Sequence, residues 1–180
     1  MSKMILQDNK HKLFNTDKMF YKEFPSDFRQ IRYFTLLIVQ KAPPEIQELN
    51  LLEQQISELI KNAVKHGNKS NPEKKIKVWY YFSQEETRLI VEDEGKGFTK
   101  IDEWNEFNSK RQDCLKNNDF EKLGDYVAYT TEESDYHDGG NAMFAALEFW
   151  NEGVVFNKKA NCVAVGKTYP KKQKGITIGE

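Results

Sequence analysis

Glu58, Asn62, Lys65 and His66 crowd the last turns of a run, ending in NAVKHGN over 62–68, that reads as a helix closing on Gly67. Glu58 and Asn62 are four apart, so on a helix they stand on one face, one turn above the other. That face lies beside the apolar stripe of Leu52, Ile56, Leu59, Ile60 and Ala63, not opposite it. Side chains so placed point into the edge of a core or into a cleft. There the amide carbonyl of Asn62 could hold a hard cation, and the Glu58 carboxylate could take a proton. A second group, Asp93 to Phe98, follows a β-prone run and spells DEGKGF. Leu89, Val91 and Asp93 share one side of that strand, so Asp93 would turn inward and need a hydrogen-bond partner or a ligand. Gly95 and Gly97 let a backbone approach such a ligand, and Phe98 could wall its pocket. Gly139 and Gly140 open a third, helical run, whose first N–H groups could meet an anion.

Taken singly, each group also has a plainer reading. Glu58 and Asn62 could be a polar helix edge, and the glycines after Asp93 a turn. His66 could cap or pack the helix end, and Lys65 is either a solvated lysine or a phosphate partner.

The elements that must position these residues can be read in order. MFYKEFP, 19–25, alternates as a strand with Met19, Tyr21 and Glu23 on one side. Ser26 can cap a helix through residue 42, with Phe28, Ile31, Phe34 or Thr35, and Ile38 as its apolar stripe. Pro43 and Pro44 break it and can open the second helix, 48–67, which carries Glu58 and Asn62. KIKVWYYF, 75–82, puts Ile76, Val78, Tyr80 and Phe82 on one side and pairs with TRLIVEDEG as a hairpin. Residues 99–138 are polar and acidic, with a helix possible over 101–117. The run after Gly140 reads as a helix burying Met143, Phe144, Leu147 and Phe149 or Trp150. A last hairpin turns at NKKAN, 157–161. The order β-α-α-β-β-excursion-α-β-β predicts an α+β, two-layer α/β sandwich, with helices over one face of a mostly antiparallel sheet.

Three motifs in this order, E-x-x-x-N-A-x-x-H-G, D-x-G-x-G-F and Gly139-Gly140, resemble the N box, G1 box and a weak G2 box of the GHKL (histidine-kinase-like) ATPase superfamily. The layout is most similar to the anti-sigma-factor serine/threonine protein kinases, over roughly residues 19–169. The resemblance implies the Bergerat fold as a single domain over 1–180, ATP and Mg²⁺ as cofactors, and a lid over about 99–138 between flexible termini, 1–15 and 170–180. It implies that Asn62 holds Mg²⁺, that Glu58 is the general base, and that Asp93 accepts from the adenine amine. Lys65, His66, Gly95, Gly97, Phe98, Gly139 and Gly140 would complete the nucleotide site. It further implies phosphorylation of an antagonist protein and binding of a sigma-factor-like partner, with a homodimer as a further association. The helix at 26–42, with Arg29 and Arg32, would lie at a dimer or partner surface by analogy. The sequence departs from the usual G-x-G-L at GGNAMFAALEFW, where Ala142 stands in place of the second glycine, and its lid is long and acidic. A nucleotide-responsive binding module with little catalysis and a detached histidine-kinase catalytic domain are the alternatives. The only histidine before the N box is His11, in a poorly patterned segment.

The chain has 180 residues, 38% hydrophobic and 31% charged, with a formal net charge of -1, so no global pull toward nucleic acid or an anionic membrane is expected. Its two cysteines, Cys114 and Cys162, are far apart, which suits a reducing cytoplasm, and Cys162 sits in an apolar run. The three histidines do not cluster with cysteines at metal-site spacing. No serine sits in a G-x-S-x-G elbow. No apolar run approaches a membrane span, and the first residues lack a signal peptide's apolar stretch.

Overall fold

A computed structural model describes residues 3–126 and 142–171. Among the described residues six strands and five α-helices follow in the order β1 (Leu6–Gln7), β2 (Phe20–Pro25), α1 (Ile31–Val39), α2 (Leu49–Lys61), β3 (Lys75–Phe82), β4 (Glu86–Glu92), α3 (Ile101–Lys116), α4 (Phe120–Leu123), α5 (Ala142–Phe149), β5 (Gly153–Phe156) and β6 (Cys162–Thr168). The strands form one sheet in the order β1-β5-β6-β4-β3-β2. All pairings are antiparallel except that of β1 with β5. This is the expected α+β sandwich with a mixed, mostly antiparallel sheet.

Strand alternation divides the sheet into two faces. Ile76, Val78 and Tyr80 of β3, Leu89 and Val91 of β4, and Val163 and Val165 of β6 face the helices. There they meet Ile31, Phe34 and Ile38 of α1, Leu52, Ile56, Leu59 and Ile60 of α2, and Phe144 and Leu147 of α5. The stripe predicted for α2 is buried throughout, as is the Ile76-Val78-Tyr80 side of β3. The opposite face carries Ile90, Val155, Cys162 and Ala164, covered by Leu13 with help from Phe14 and Met19. Burial pushes the Cys162 thiol up to about 12, so it is an inert apolar group there.

The N-terminal segment departs from the expected flexible start over 1–15. Its residues 3–15 include β1 and a 3₁₀ turn, Lys12–Phe14, and bury Ile5 and Leu13. Two apolar side chains at the right spacing suffice to dock it, and the Arg88 guanidinium donates to the carbonyls of Leu13 and Asn15. Within the expected lid, 101–116 is a regular helix, α3, that buries Ile101 and Trp104. The first long helix begins later than expected. Asp27, not Ser26, accepts from the Arg29 N–H at the start of the 3₁₀ turn Phe28–Gln30, and Phe28 is exposed. Ser26 is buried instead because its hydroxyl donates to the Lys74 carbonyl at 2.9 Å. Pro43 and Pro44 lie ahead of α2 and do not open it. Its first cap position is Glu48, in a left-handed conformation with φ of 56°. In β2, Phe20 and Phe24 lie toward the helices, against Tyr80 and Phe34, while Tyr21 meets Trp79 on the other face.

Candidate functional site

The site is built where α2 ends. Glu58 lies in the last turns of the helix and is partly buried, at the border of the stripe as its spacing predicted. Asn62, also partly buried, follows one turn later. Its backbone N–H is shared between the Glu58 and Leu59 carbonyls. From Asn62 to Gly67 the chain widens into a single π-helical turn, closed by the Asn68 N–H donating to the Ala63 carbonyl at 2.9 Å. Such widened turns concentrate at functional sites, because they re-aim the side chains on the helix end. Lys65 and His66 are in this turn and are partly buried.

The turn brings Gly67 against the loop after β4. A Cβ on Gly67 would lie 2.2 Å from Asp93 Oδ2, and a Cβ on Gly95 would lie 2.2 Å from the Gly67 carbonyl oxygen. Both glycines are therefore required by space, not by dihedral angle. Gly97 differs: its φ is +98°, and a Cβ there would meet the Lys159 carbonyl at 2.0 Å. Phe98 then donates its N–H to the Ala160 carbonyl at 2.7 Å and stacks its ring on Phe156 at 5.6 Å. The G1 segment is thus zipped to the turn between β5 and β6.

Asp93 sits at the centre. Its Oδ1 accepts from the Gly95 N–H at 2.8 Å, while its Oδ2 receives no hydrogen bond from the described residues. Its backbone is tied on both sides to Asn161, with the Asp93 N–H donating to the Asn161 carbonyl and the Asn161 amide to the Asp93 carbonyl, each at 2.9 Å. Burial raises the Asp93 carboxyl above its ordinary value, the Gly95 bond opposes this, and the Glu92 charge adds to the rise. A half-buried carboxylate with one open oxygen is a ready acceptor for a ligand N–H.

Two asparagines that sequence reasoning passed over hold this arrangement. Asn68 is fully buried. Its Oδ1 accepts from the Glu94 N–H at 2.7 Å, and its Nδ2 donates to Ser26 Oγ at 2.8 Å and to the Lys75 carbonyl at 3.0 Å. It thus spans the end of the π turn, the start of β3 and the residue after Asp93. Asn161 does the same from the other side, itself fixed by Asn157. The signal was present: an asparagine directly after a helix-ending glycine, and two asparagines flanking a short hairpin turn, are positions where side-chain amides satisfy backbone groups.

Gly139 and Gly140 lie outside the described residues. Ala142, at the departure from the usual G2 pattern, is the first residue of α5. An open cavity of about 400 Å³ lies beside Phe98, between Gln7 and the start of α3, and Glu58, Asn62 and Asp93 do not line it. Among the described residues no group of three or more His, Cys, Asp or Glu could hold a metal. A Mg²⁺ here would rest on the Asn62 carbonyl oxygen together with a ligand's oxygens and water, which suits a cation that keeps much of its hydration.

A fold of this topology, with a polar helix end packed on a D-x-G-x-G loop, defines a class of nucleotide-binding domains. Residues 47–144, more than half of the chain, match the family of histidine kinase-, DNA gyrase B- and HSP90-like ATPases. The chain belongs to that family, whose domains bind ATP, usually with Mg²⁺. Over 65 residues it is 29% identical to the anti-sigma F factor of Shouchella clausii (strain KSM-K16), covering 36% of this chain and 44% of that protein. The match thus spans less than half of the relative's length. Both findings agree with the resemblance drawn from the motifs. No helix among the described residues is long and apolar enough to cross a membrane.

Proposed function

We propose that the chain is an ATP-dependent serine/threonine protein kinase of the anti-sigma type, which binds a regulatory protein and phosphorylates an antagonist protein. The observation that carries this is the junction of Gly67, Asp93 and Gly95, packed with no room for a Cβ around a carboxylate whose Oδ2 takes no hydrogen bond from the described residues. In this reading Asp93 accepts from the adenine exocyclic amine, and Gly95, Gly97 and Phe98 shape the base pocket. Asn62, Lys65 and His66 lie toward the phosphates, and Asn62 offers its Oδ1 to Mg²⁺. Mg²⁺, when bound, offsets the charge of the phosphates. Glu58 takes the proton of the attacking hydroxyl as its oxygen bonds to the γ-phosphorus and the bond to the ADP oxygen breaks. The partners are a sigma-factor-like protein and its antagonist, supported by the relative's name alone, and a second copy of this chain is a further candidate. The buried free thiols of Cys114 and Cys162 support a cytoplasmic location.

A second reading, a nucleotide-responsive binding module without turnover, is favoured by Ala142, which starts a helix where the family pattern has a glycine. One experiment separates the two. ATP is titrated into the intact chain by calorimetry, with and without Mg²⁺, beside Asn62→Ala, Asp93→Asn and Glu58→Gln, and phosphate transfer to a co-expressed antagonist is followed. The kinase reading expects Mg²⁺-dependent binding, weakened in Asn62→Ala and Asp93→Asn. It expects Glu58→Gln to keep binding and lose about 10²- to 10⁴-fold in transfer. Binding without transfer by the intact chain would establish the module, and no binding at millimolar ATP would sink both.

A further inference from the structure

The N-terminal arm lies between two parts of the molecule. On one side, β1 pairs with β5, placing Leu6 beside Val155 and Gln7 beside Phe156. Beyond it the Asp8 N–H donates to the Phe156 carbonyl at 2.9 Å, Gln7 Nε2 to the Lys158 carbonyl at 2.8 Å, and the Lys158 N–H to Asn9 Oδ1 at 2.7 Å. On the other side stands α3. The Asn105 amide meets the Ile5 peptide at two points: its Oδ1 accepts from the Ile5 N–H at 2.8 Å, and its Nδ2 donates to the Ile5 carbonyl at 2.9 Å. Asn108, 3% exposed, donates to the Lys3 carbonyl at 2.8 Å. The Ile5 side chain, 2% exposed, joins the main core. Paired amide contacts of this kind hold an extended backbone whatever its side chains, while a buried isoleucine fixes its register.

The far end of this grip reaches the site. The turn that the arm holds, 157–161, is the same turn that fixes Asp93 through Asn161 and receives the Phe98 N–H. Helix α3 begins directly after that segment, at Ile101. We infer that residues 3–9 are a clasp that fastens α3 to the β5–β6 turn, so that docking of the arm and binding of nucleotide at Asp93 strengthen each other. The coupling runs through packed groups with named partners at each step, and thermodynamic linkage requires it to act equally in both directions. The nucleotide half of this inference rests on the reading given under Proposed function.

The test uses the full chain, with Asn105→Ala and Ile5→Ala as two independent ways to loosen the clasp and Lys110→Ala, whose pair with Glu106 is exposed on α3, as the control. Amide hydrogen exchange is followed in Ile101–Lys116, at the Ile5 N–H and in β4 and β6, and ATP affinity is measured with Mg²⁺. Both clasp variants should exchange about tenfold faster in α3 while β4 and β6 stay protected, and their ATP affinity should fall about several-fold. In the unchanged chain, saturating ATP·Mg²⁺ should slow exchange at the Ile5 N–H. Unchanged α3 exchange in both variants would overturn the clasp. Faster exchange with ATP affinity unaltered, or an Ile5 amide indifferent to ATP, would overturn the coupling. Should the unchanged chain bind no ATP, the nucleotide reading fails, and with it the coupling, while α3 exchange still decides whether the arm is a clasp.

Discussion

The backbone around Asp93 and the helix that follows it are held in different ways. At Asp93 the chain is locked by close contact: Gly67 packs on the Asp93 carboxyl and Gly95 on the Gly67 carbonyl, and the buried amide of Asn68 and the partly buried one of Asn161 tie the loop to two strands. Helix α3 is a polar helix fastened by a few of its own side chains: Trp104 and Phe107 pack against Phe144, and Asn105 and Asn108 donate to the backbone of the arm. The first region can only keep its shape or fail. In the second, the buried side chains Ile101, Trp104 and Cys114 and several separable hydrogen bonds set the local stability, which hydrogen exchange reads directly. A site that recognises a base needs the first kind of region, and one that admits and releases a ligand needs the second.

The most direct way to break this contrast is Gly67→Ala. The new methyl would overlap the Asp93 carboxyl, so ATP affinity should fall by more than about 100-fold, or roughly 3 kcal/mol, measured by calorimetry. Gly124→Ala, where a Cβ meets nothing within 4 Å, serves as the control and should leave affinity unchanged. Retained binding in Gly67→Ala would mean the junction yields, and that the two regions do not differ as described.

Asn68→Ala should come next. It removes the buried partner of the Ser26 hydroxyl and the partners of the Glu94 N–H and the Lys75 carbonyl, which are partly buried, and this should destabilise the chain by about 1–3 kcal/mol in urea unfolding. A loss under about 0.5 kcal/mol would show that water replaces the amide there and that the loop is not locked.

The smallest effect sharpens the electrostatics. Because the folded form holds the Asp93 proton more tightly than the unfolded chain, this group favours folding most below its unfolded pKa. Stability from it is lost as pH rises through the folded pKa, and the loss is constant above it. The stability of Asp93→Asn minus that of the unchanged chain should therefore grow with pH from the ordinary 3.8 upward and then level off. A flat difference, measured by unfolding at several pH values, would mean that the carboxylate is as well solvated folded as unfolded.

The legible parts of the molecule share one property. The stripe on α2, the alternation of β3 and the pairing of β5 with β6 follow from apolar periodicity over many residues, which survives any local exception. Glu58 and Asn62 were placed by the same geometry, since four-residue spacing beside a stripe admits one orientation. Local cap chemistry read less well. Ser26 looked like a helix cap but serves a buried bridge to Lys74 and Asn68, because a hydroxyl and an amide from distant segments met there.

Residue order and type by themselves determined the sandwich, the two motif-bearing segments and the inward turn of Asp93, since each rests on repeating geometry along one element. Only the tertiary structure decided that Gly67 is demanded by the Asp93 carboxyl and Gly95 by the Gly67 carbonyl, and that Asn68 and Asn161 hold the backbone around Asp93 in place. It alone decided that a polar-looking start of the chain closes over the far face and grips α3 through Asn105 and Asn108. The physical reason is common to all three. Single hydrogen bonds and close contacts between segments far apart in sequence leave no periodic trace, and they exist only once the sheet has brought their partners together.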